Sequence, residues 1–240
     1  FSKAGETFID TYSDPDTPPQ VGIYKPDGVR VAWIEANPLT PQHPYFPYLR
    51  SHVKTEYGTL MAANGQTLHY GLRKPLNFDA SKRYPVFLST YGGPGAQVVG
   101  RYWGSLFEQY MAQQGYVVFS LDNRGSARRE RAFTDVIYGN LGSNEVQDQL
   151  TGIDWLRSQS FVDAKRIGIF GWSYGGFMVV RLLEAASDRI AAGVAVAPVT
   201  DWALYDTHYA ERFLGAPKDN PDGYAQSGVF AQIGDLRSPL

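Results

Sequence analysis

A serine enclosed by glycines, between a strand pattern and a helix pattern, constrains this chain more than any other feature. The segment Gly171–Gly175 reads Gly-Trp-Ser-Tyr-Gly, and it follows the apolar run 166–170 and precedes the amphipathic run 177–186. A strand, a sharp turn and a helix in this order form a nucleophile elbow, whose strained turn exposes the serine hydroxyl. Glycines are needed beside it because so tight a turn leaves no room for Cβ atoms. We predict that Ser173 is a nucleophile; an ordinary glycine-rich loop is the alternative.

Strand and helix patterns alternate from residue 55 onward. A hairpin around Asn64-Gly65 comes first. Short apolar runs rich in Val, Ile and Phe follow, as is typical of buried strands. They cover residues 84–90, 116–121, 166–170 and 192–197. One helix pattern covers residues 105–114. A second begins at Ser143 or Asn144, the expected N-cap, and the charge of Glu145 should stabilise its first turn. This alternation predicts a mostly parallel sheet covered by helices on both faces.

The first 37 residues have a different texture. Three short β-like runs lie between residues 7 and 34, and Asp27-Gly28 indicates a hairpin between the second and the third. Three strands without a helix must pack against something else. Prolines at 38, 41, 44 and 47 then form a stiff connection. We therefore expect a β unit at 1–37, a proline-rich connection at 38–54 and an α/β domain at 55–240.

Composition narrows the classes of function. The net charge of −2 and the pI near 6.1 give no reason to expect nucleic acid or anionic lipid as a partner. The chain has no cysteine, and His43, His52 and His69 lack the spacing of metal ligands, so we expect neither a metal nor an organic cofactor. No apolar run reaches the roughly 18 residues that span a bilayer. Because the chain begins Phe1-Ser2, any targeting segment is expected upstream.

A serine that attacks a carbonyl needs donors for the oxyanion that forms. One is usually the backbone N–H after the nucleophile, here that of Tyr174. The second usually comes from the loop after an earlier strand, and residues 89–95, with Tyr91 followed by Gly92 and Gly93, occupy that place. Tyr91 is therefore a candidate donor. The alternative is that these glycines only turn the chain.

Three aromatic residues follow the last strand pattern. Trp202, Tyr205 and Tyr209 share one face if residues 201–213 are helical, because their spacing is three and four. Together with Tyr174 they would form an apolar box that suits a compact ring such as that of proline. The alternative is the core-facing stripe of a helix.

These motifs resemble one family over nearly the whole chain. The matching segments are Gly171–Gly176 with 161–167 before it, Tyr91–Pro94, Asp122–Ser126, Val196–Val199 and Tyr209–Phe213. They are similar to the dipeptidyl peptidase IV branch of the prolyl oligopeptidase family, and the tryptophan before the serine is typical of that branch. The resemblance implies an α/β-hydrolase doubly wound sheet, incomplete at its C-terminal end, after the last strands of a β-propeller.

The same resemblance implies roles for individual residues. Ser173 would be the nucleophile, and the Tyr91 hydroxyl and the Tyr174 amide would stabilise the oxyanion. A pocket for proline or alanine would be lined by Tyr174, Val199, Trp202, Tyr205 and Tyr209. The implied activity is a serine exopeptidase that releases N-terminal dipeptides from peptides, with no cofactor. Family members are commonly homodimers and several bacterial ones are periplasmic, so a dimer in the periplasm or outside the cell is expected.

The catalytic base and its carboxylate are not found where this fold places them. The order along the chain is serine, acid, histidine, and after Ser173 the sequence has one histidine, His208, inside the aromatic segment. Asp188, Asp201 and Asp206 precede any further strand and are expected to cap helices or lie at the surface. We expect the acid and the histidine beyond Leu240 and most of the propeller before Phe1, so that residues 1–240 alone would be inactive.

Other functions stay open at this point. A related acylaminoacyl peptidase or prolyl endopeptidase would share these motifs. An esterase or lipase would share the elbow but should lack the propeller-like start. A non-catalytic binding protein on the same scaffold is the alternative from another class, and the retained Ser173 between intact glycines argues against it.

Overall fold

Two β-sheets organise the part of the chain that the computed structural model describes, residues 5–230 and 232–240. The first sheet is antiparallel and contains β1 (Phe8–Asp14), β2 (Thr17–Tyr24) and β3 (Arg30–Glu35). The hairpin predicted at Asp27-Gly28 joins β2 to β3, and Gly28 has the positive φ of 85° that such a turn requires. Every residue of β3 is exposed, Val31 and Ile34 included.

The second sheet has six strands in the order β4-β5-β7-β6-β8-β9. Their bounds are β4 Glu56–Met61, β5 Thr67–Arg73, β6 Tyr84–Ser89, β7 Val117–Asp122, β8 Val162–Trp172 and β9 Ala192–Val196. The hairpin β4–β5 is antiparallel and joins β7 in the antiparallel sense, whereas β6, β7, β8 and β9 are parallel. The mostly parallel sheet predicted from the sequence is confirmed.

Six α-helices of 4 to 15 residues lie between and after the strands of the second sheet in the described residues. The α-helices are α1 Leu106–Gln113, α2 Arg131–Thr134, α3 Asn144–Ser158, α4 Tyr174–Ala186, α5 Thr207–Leu214 and α6 Pro221–Ser227. Turns of 3-10 helix lie at Phe46–Ser51, Asp135–Ile137, Trp202–Leu204 and Ile233–Asp235. None of the helices in the described ranges has both the length and the apolar character needed to cross a bilayer.

The helices cover the two faces of the large sheet unequally. On one face α4 packs so closely over β9 that a Cβ on Gly193 would lie 2.7 Å from Leu183 Cδ1. On the other face α1 places the Phe107 ring against Phe170, with ring centroids 5.9 Å apart. Val194, paired with Phe170 in the register and therefore on that same face, is 55% exposed. We expected helices to cover both faces of the sheet. Within the described residues they cover one face completely and the other only in part.

The proline-rich connection is tied to the second sheet by polar and aromatic contacts. The side-chain amide of Gln109 in α1 bonds both backbone groups of Val53, each at 2.8 Å. The His52 ring stacks on Trp103 with centroids 4.6 Å apart. Residues 46–51 of the connection form a 3-10 helix, which the proline near its start favours because proline needs no N–H there.

Candidate active site

The turn around Ser173 has the predicted form. β8 ends at Trp172, α4 begins at Tyr174, and Ser173 between them has φ 58° and ψ −118°. A non-glycine residue in this region is strained and persists only where its surroundings hold it. Here the Ser173 N–H donates to the Val196 carbonyl at 2.9 Å, which ties the turn to the end of β9. The serine is half-buried and lies at the carboxyl edge of the parallel strands, where ligands of open α/β sheets bind.

The glycines of the elbow are required by close backbone contacts. A Cβ on Gly171 would lie 2.1 Å from the Gly175 carbonyl oxygen, and one on Gly176 would lie 2.8 Å from that of Val196. A Cβ on Gly175 would lie 2.4 Å from the Thr90 carbonyl oxygen, in the segment that follows β6. The ends of β6, β8 and β9 therefore meet at the elbow through their backbones.

The loop after β6 does more than turn the chain. Gly92 has φ 73°, which favours glycine, and a Cβ on Gly93 would lie 2.7 Å from Tyr174 Cγ and 2.8 Å from Tyr91 Cε1. Glycine at 93 thus lets the two tyrosine rings approach, with centroids 6.0 Å apart. The loop places Tyr91 beside the elbow, as an oxyanion donor requires.

A buried polar network supports this loop from behind. Asn123, which follows β7 directly, donates its side-chain amide to the Gly92 carbonyl at 2.9 Å, and its own oxygen accepts from Gln149 at 2.9 Å. The next residue, Arg124, forms a buried ion pair with Asp148 of α3 at 2.8 Å. From the sequence, the segment Asp122–Ser126 supported the family resemblance but had no predicted role. The sequence feature that could have indicated its role is a run of polar residues directly after an apolar strand pattern.

The candidate residues line one small cavity of about 20 Å³. Its walls are Tyr91, Ser173, Tyr174, Val199, Trp202, Tyr205 and Tyr209. The rings contact one another: Trp202 stacks on Tyr209 with centroids 5.9 Å apart, and it meets Tyr174 at 5.4 Å. Drug-sized ligands occupy pockets of roughly 300–1,000 Å³. This cavity is far smaller, so it has room for at most one small side chain.

The aromatic residues do not lie on one continuous helix, as the sequence analysis supposed. Trp202 begins a 3-10 turn that Asp201 caps, Tyr205 is extended with ψ 169°, and a new helix begins at Thr207. The break occurs because the Asp206 side chain accepts the Tyr209 N–H at 2.8 Å and so caps the second helix. The three rings meet all the same, because the extended residue turns α5 back toward Trp202.

Burial raises the pKa of three tyrosine hydroxyls around the cavity, which are protonated near neutral pH in any case. It raises the pKa of Tyr91, and the nearby Tyr205 hydroxyl raises it further. It also raises the pKa of Tyr174 and of Tyr209. A protonated Tyr91 hydroxyl can donate a hydrogen bond to an oxyanion. As the first residue of α4, Tyr174 presents an N–H without an intrahelical acceptor at the positive end of the helix dipole.

The histidines lie away from the cavity. His208 is exposed on α5, and Asp201 and Asp206 are N-caps, as expected for these aspartates. His43 contacts Asn37 at 2.7 Å, His52 contacts Tyr45 at 2.8 Å, and His69 pairs with Asp122 in the register of the sheet. Among the described residues, no group of three His, Asp or Glu side chains is placed to hold a metal ion.

Glu145 is a buried residue next to the site that the sequence analysis missed. It was expected to stabilise the first turn of α3 by its charge, but it is 0% exposed and accepts a hydrogen bond from the Tyr174 hydroxyl at 2.6 Å. The sequence feature that could have indicated its burial is the helical spacing that places Glu145 on the same face of α3 as the buried Gln149 and Ile153.

The fold and the elbow define the class of protein. A mostly parallel sheet, a serine on a strained strand-to-helix turn and a donor loop after an earlier strand are the features of an α/β-hydrolase. The model of the prolyl oligopeptidase family matches residues 104–234, and the chain belongs to this family.

Relatives and solved structures agree with this assignment. The probable dipeptidyl-aminopeptidase B of Aspergillus clavatus is 37% identical over 95% of this chain and 25% of its own length. The probable dipeptidyl peptidase 4 of the same fungus is 33% identical over 98% of this chain and 31% of its own length. The crystal structure of Porphyromonas gingivalis dipeptidyl peptidase 4 superimposes with a TM-score of 0.86 at 33% identity, over 97% of this chain and 33% of that one. The chain thus spans about a quarter to a third of the length of these proteins.

Proposed function

We propose that the polypeptide containing this chain is a serine exopeptidase that releases N-terminal dipeptides with proline or alanine in the second position. The observation that carries the proposal is the small aromatic cavity with a strained, half-buried serine in its wall. A cavity for one compact apolar side chain next to a nucleophile suits cleavage after that side chain. The names of the similar proteins, dipeptidyl-aminopeptidase and dipeptidyl peptidase, support this activity.

The proposed reaction proceeds through an acyl-enzyme. The Ser173 oxygen attacks the peptide carbonyl and its proton passes to a base, while the Tyr91 hydroxyl and the Tyr174 N–H stabilise the oxyanion. The C–N bond then breaks, the amine leaves with a proton from the base, and water hydrolyses the acyl-serine ester. Trp202, Tyr205, Tyr209 and Val199 would hold the proline or alanine side chain during both steps.

The proposed reaction also needs a catalytic base and a carboxylate that orients it. Since the lining of the cavity includes no histidine or carboxylate, we assign both groups to parts of the polypeptide outside residues 1–240. Without a base the serine hydroxyl is a very weak nucleophile, so residues 1–240 alone are expected to be inactive. We also propose that residues 1–37 are the last strands of a β-propeller, which the three-stranded antiparallel sheet with its exposed β3 supports.

The test uses the complete polypeptide and three substrates. An X-Pro chromogenic dipeptide with a free amine should be cleaved, the same compound with a blocked amine should not, and an acyl ester should be a poor substrate. Replacement of Ser173 by Ala should abolish both turnover and labelling by a fluorophosphonate. Equal cleavage of the blocked and free compounds would instead indicate an endopeptidase or an acylaminoacyl peptidase, and no labelling of the intact protein would contradict a serine hydrolase.

A further inference from the structure

A buried carboxyl group lies behind the tyrosine that follows the nucleophile. Oε1 of Glu145 accepts hydrogen bonds from the Tyr174 hydroxyl at 2.6 Å and from the Gly142 N–H at 3.0 Å. Oε2 has no hydrogen-bond partner in the described ranges. Burial raises the pKa of Glu145, and no described cation forms an ion pair with it. A buried carboxyl group with half of its acceptors unused costs stability, so packing alone does not account for it.

Tyr174, the other partner in this hydrogen bond, forms a wall of the cavity. Tyr174 is 1% exposed, and its hydroxyl donates a hydrogen bond to Glu145 of α3. Around the ring lie Phe177 at 5.2 Å, Trp202 at 5.4 Å and Tyr91 at 6.0 Å between centroids. Ring contacts favour particular spacings and angles, and the short hydrogen bond at the tip of the ring adds a directional restraint on its position.

We propose that Glu145 is a positioning residue that sets the preference for proline by holding the Tyr174 ring as a rigid wall of the cavity. This inference rests on the proposed function. The small cavity leaves little tolerance, and a tilted ring would remove the close contacts that a proline ring makes with the wall. Alanine in the same position fills less of the cavity and therefore depends less on the position of Tyr174.

The first test measures selectivity in the complete polypeptide. The readout is the ratio of kcat/KM for an X-Pro substrate to that for the matching X-Ala substrate, which does not depend on how much enzyme is folded. Glu145→Leu removes the acceptor at similar volume and should lower the ratio about five- to tenfold, as Tyr174→Phe should. Glu145→Gln keeps an acceptor oxygen and should stay within about twofold of the wild type.

A double variant and a control separate positioning from general damage. Tyr174→Phe combined with Glu145→Leu should lower the ratio no further than either change alone, because both remove the same hydrogen bond. Glu184→Gln alters another buried carboxyl group, paired with Arg181 at 3.1 Å, and should leave the ratio unchanged. Additive losses in the double variant, or an unchanged ratio in Glu145→Leu, would overturn the proposal.

The second test needs no turnover. With Ser173→Ala as background, calorimetry measures the binding of the dipeptide Ala-Pro, which should weaken by the same five- to tenfold factor, about 1 kcal/mol, when Glu145 becomes Leu. Equal binding by both proteins overturns the positioning role, while cleavage by the wild type would still support the peptidase. A wild type that neither cleaves X-Pro substrates nor binds Ala-Pro would overturn the proposed function, and this inference with it.

Discussion

Replacing Gly175 with Ala tests how tightly the elbow and the oxyanion loop are joined. The new Cβ would lie 2.4 Å from the Thr90 carbonyl oxygen and 3.2 Å from Tyr91 Cα, whereas ordinary contacts begin at 3.4 Å. The backbone at Thr90 and Tyr91 must therefore retreat by about 1 Å, and a displacement of that size in a catalytic site costs about a hundredfold in rate. Helix propensity alone predicts no such damage, because alanine in place of glycine stabilises a helix by about 1 kcal/mol.

The assay compares this variant with a matched glycine change in the complete polypeptide. We expect kcat/KM for an X-Pro substrate to fall about a hundredfold per active site, with sites counted by fluorophosphonate labelling. Gly168→Ala, in β8, adds a Cβ whose nearest atoms are 3.8 Å away, and should stay within about twofold of the wild type. A Gly175→Ala enzyme within about threefold of the wild type would refute the reasoning.

Three further predictions concern the loop, the cavity and a distant carboxyl group. Tyr91→Phe should lower kcat by about a hundredfold if the hydroxyl stabilises the oxyanion, and an unchanged kcat would remove that role. Trp202→Ala should reduce kcat/KM for proline substrates more than for alanine substrates; equal losses would favour a packing role. Burial raises the pKa of Glu184 from 4.5 to about 7, so its contribution to stability is complete below pH 4.5 and is lost as the pH rises through about 7. Thermal melts of the wild type should therefore decline between about pH 5 and 8 more than those of Glu184→Gln, and parallel curves would contradict the shift.

Local patterns were enough to predict the large sheet and the elbow. The runs around 84–90, 116–121, 166–170 and 192–197 all became strands, because short apolar runs bounded by turns have few other stable conformations. The elbow was predictable because its glycines and its flanking strand and helix are contiguous in the chain. The break between Trp202 and α5 was not predicted, since it depends on Asp206 competing as an N-cap against a continuous helical spacing.

The sequence by itself determined the chemistry that is local: a serine on a strained turn, a tyrosine after it and a loop with Tyr91 after an earlier strand. Tertiary structure alone decided that Gly175 touches Thr90, that Asn123 holds Gly92 and that Glu145 meets the Tyr174 hydroxyl. The reason is physical. Periodicity and turn chemistry act over a few residues, whereas these contacts join residues 29 or more positions apart, whose meeting depends on how the strands and helices pack together.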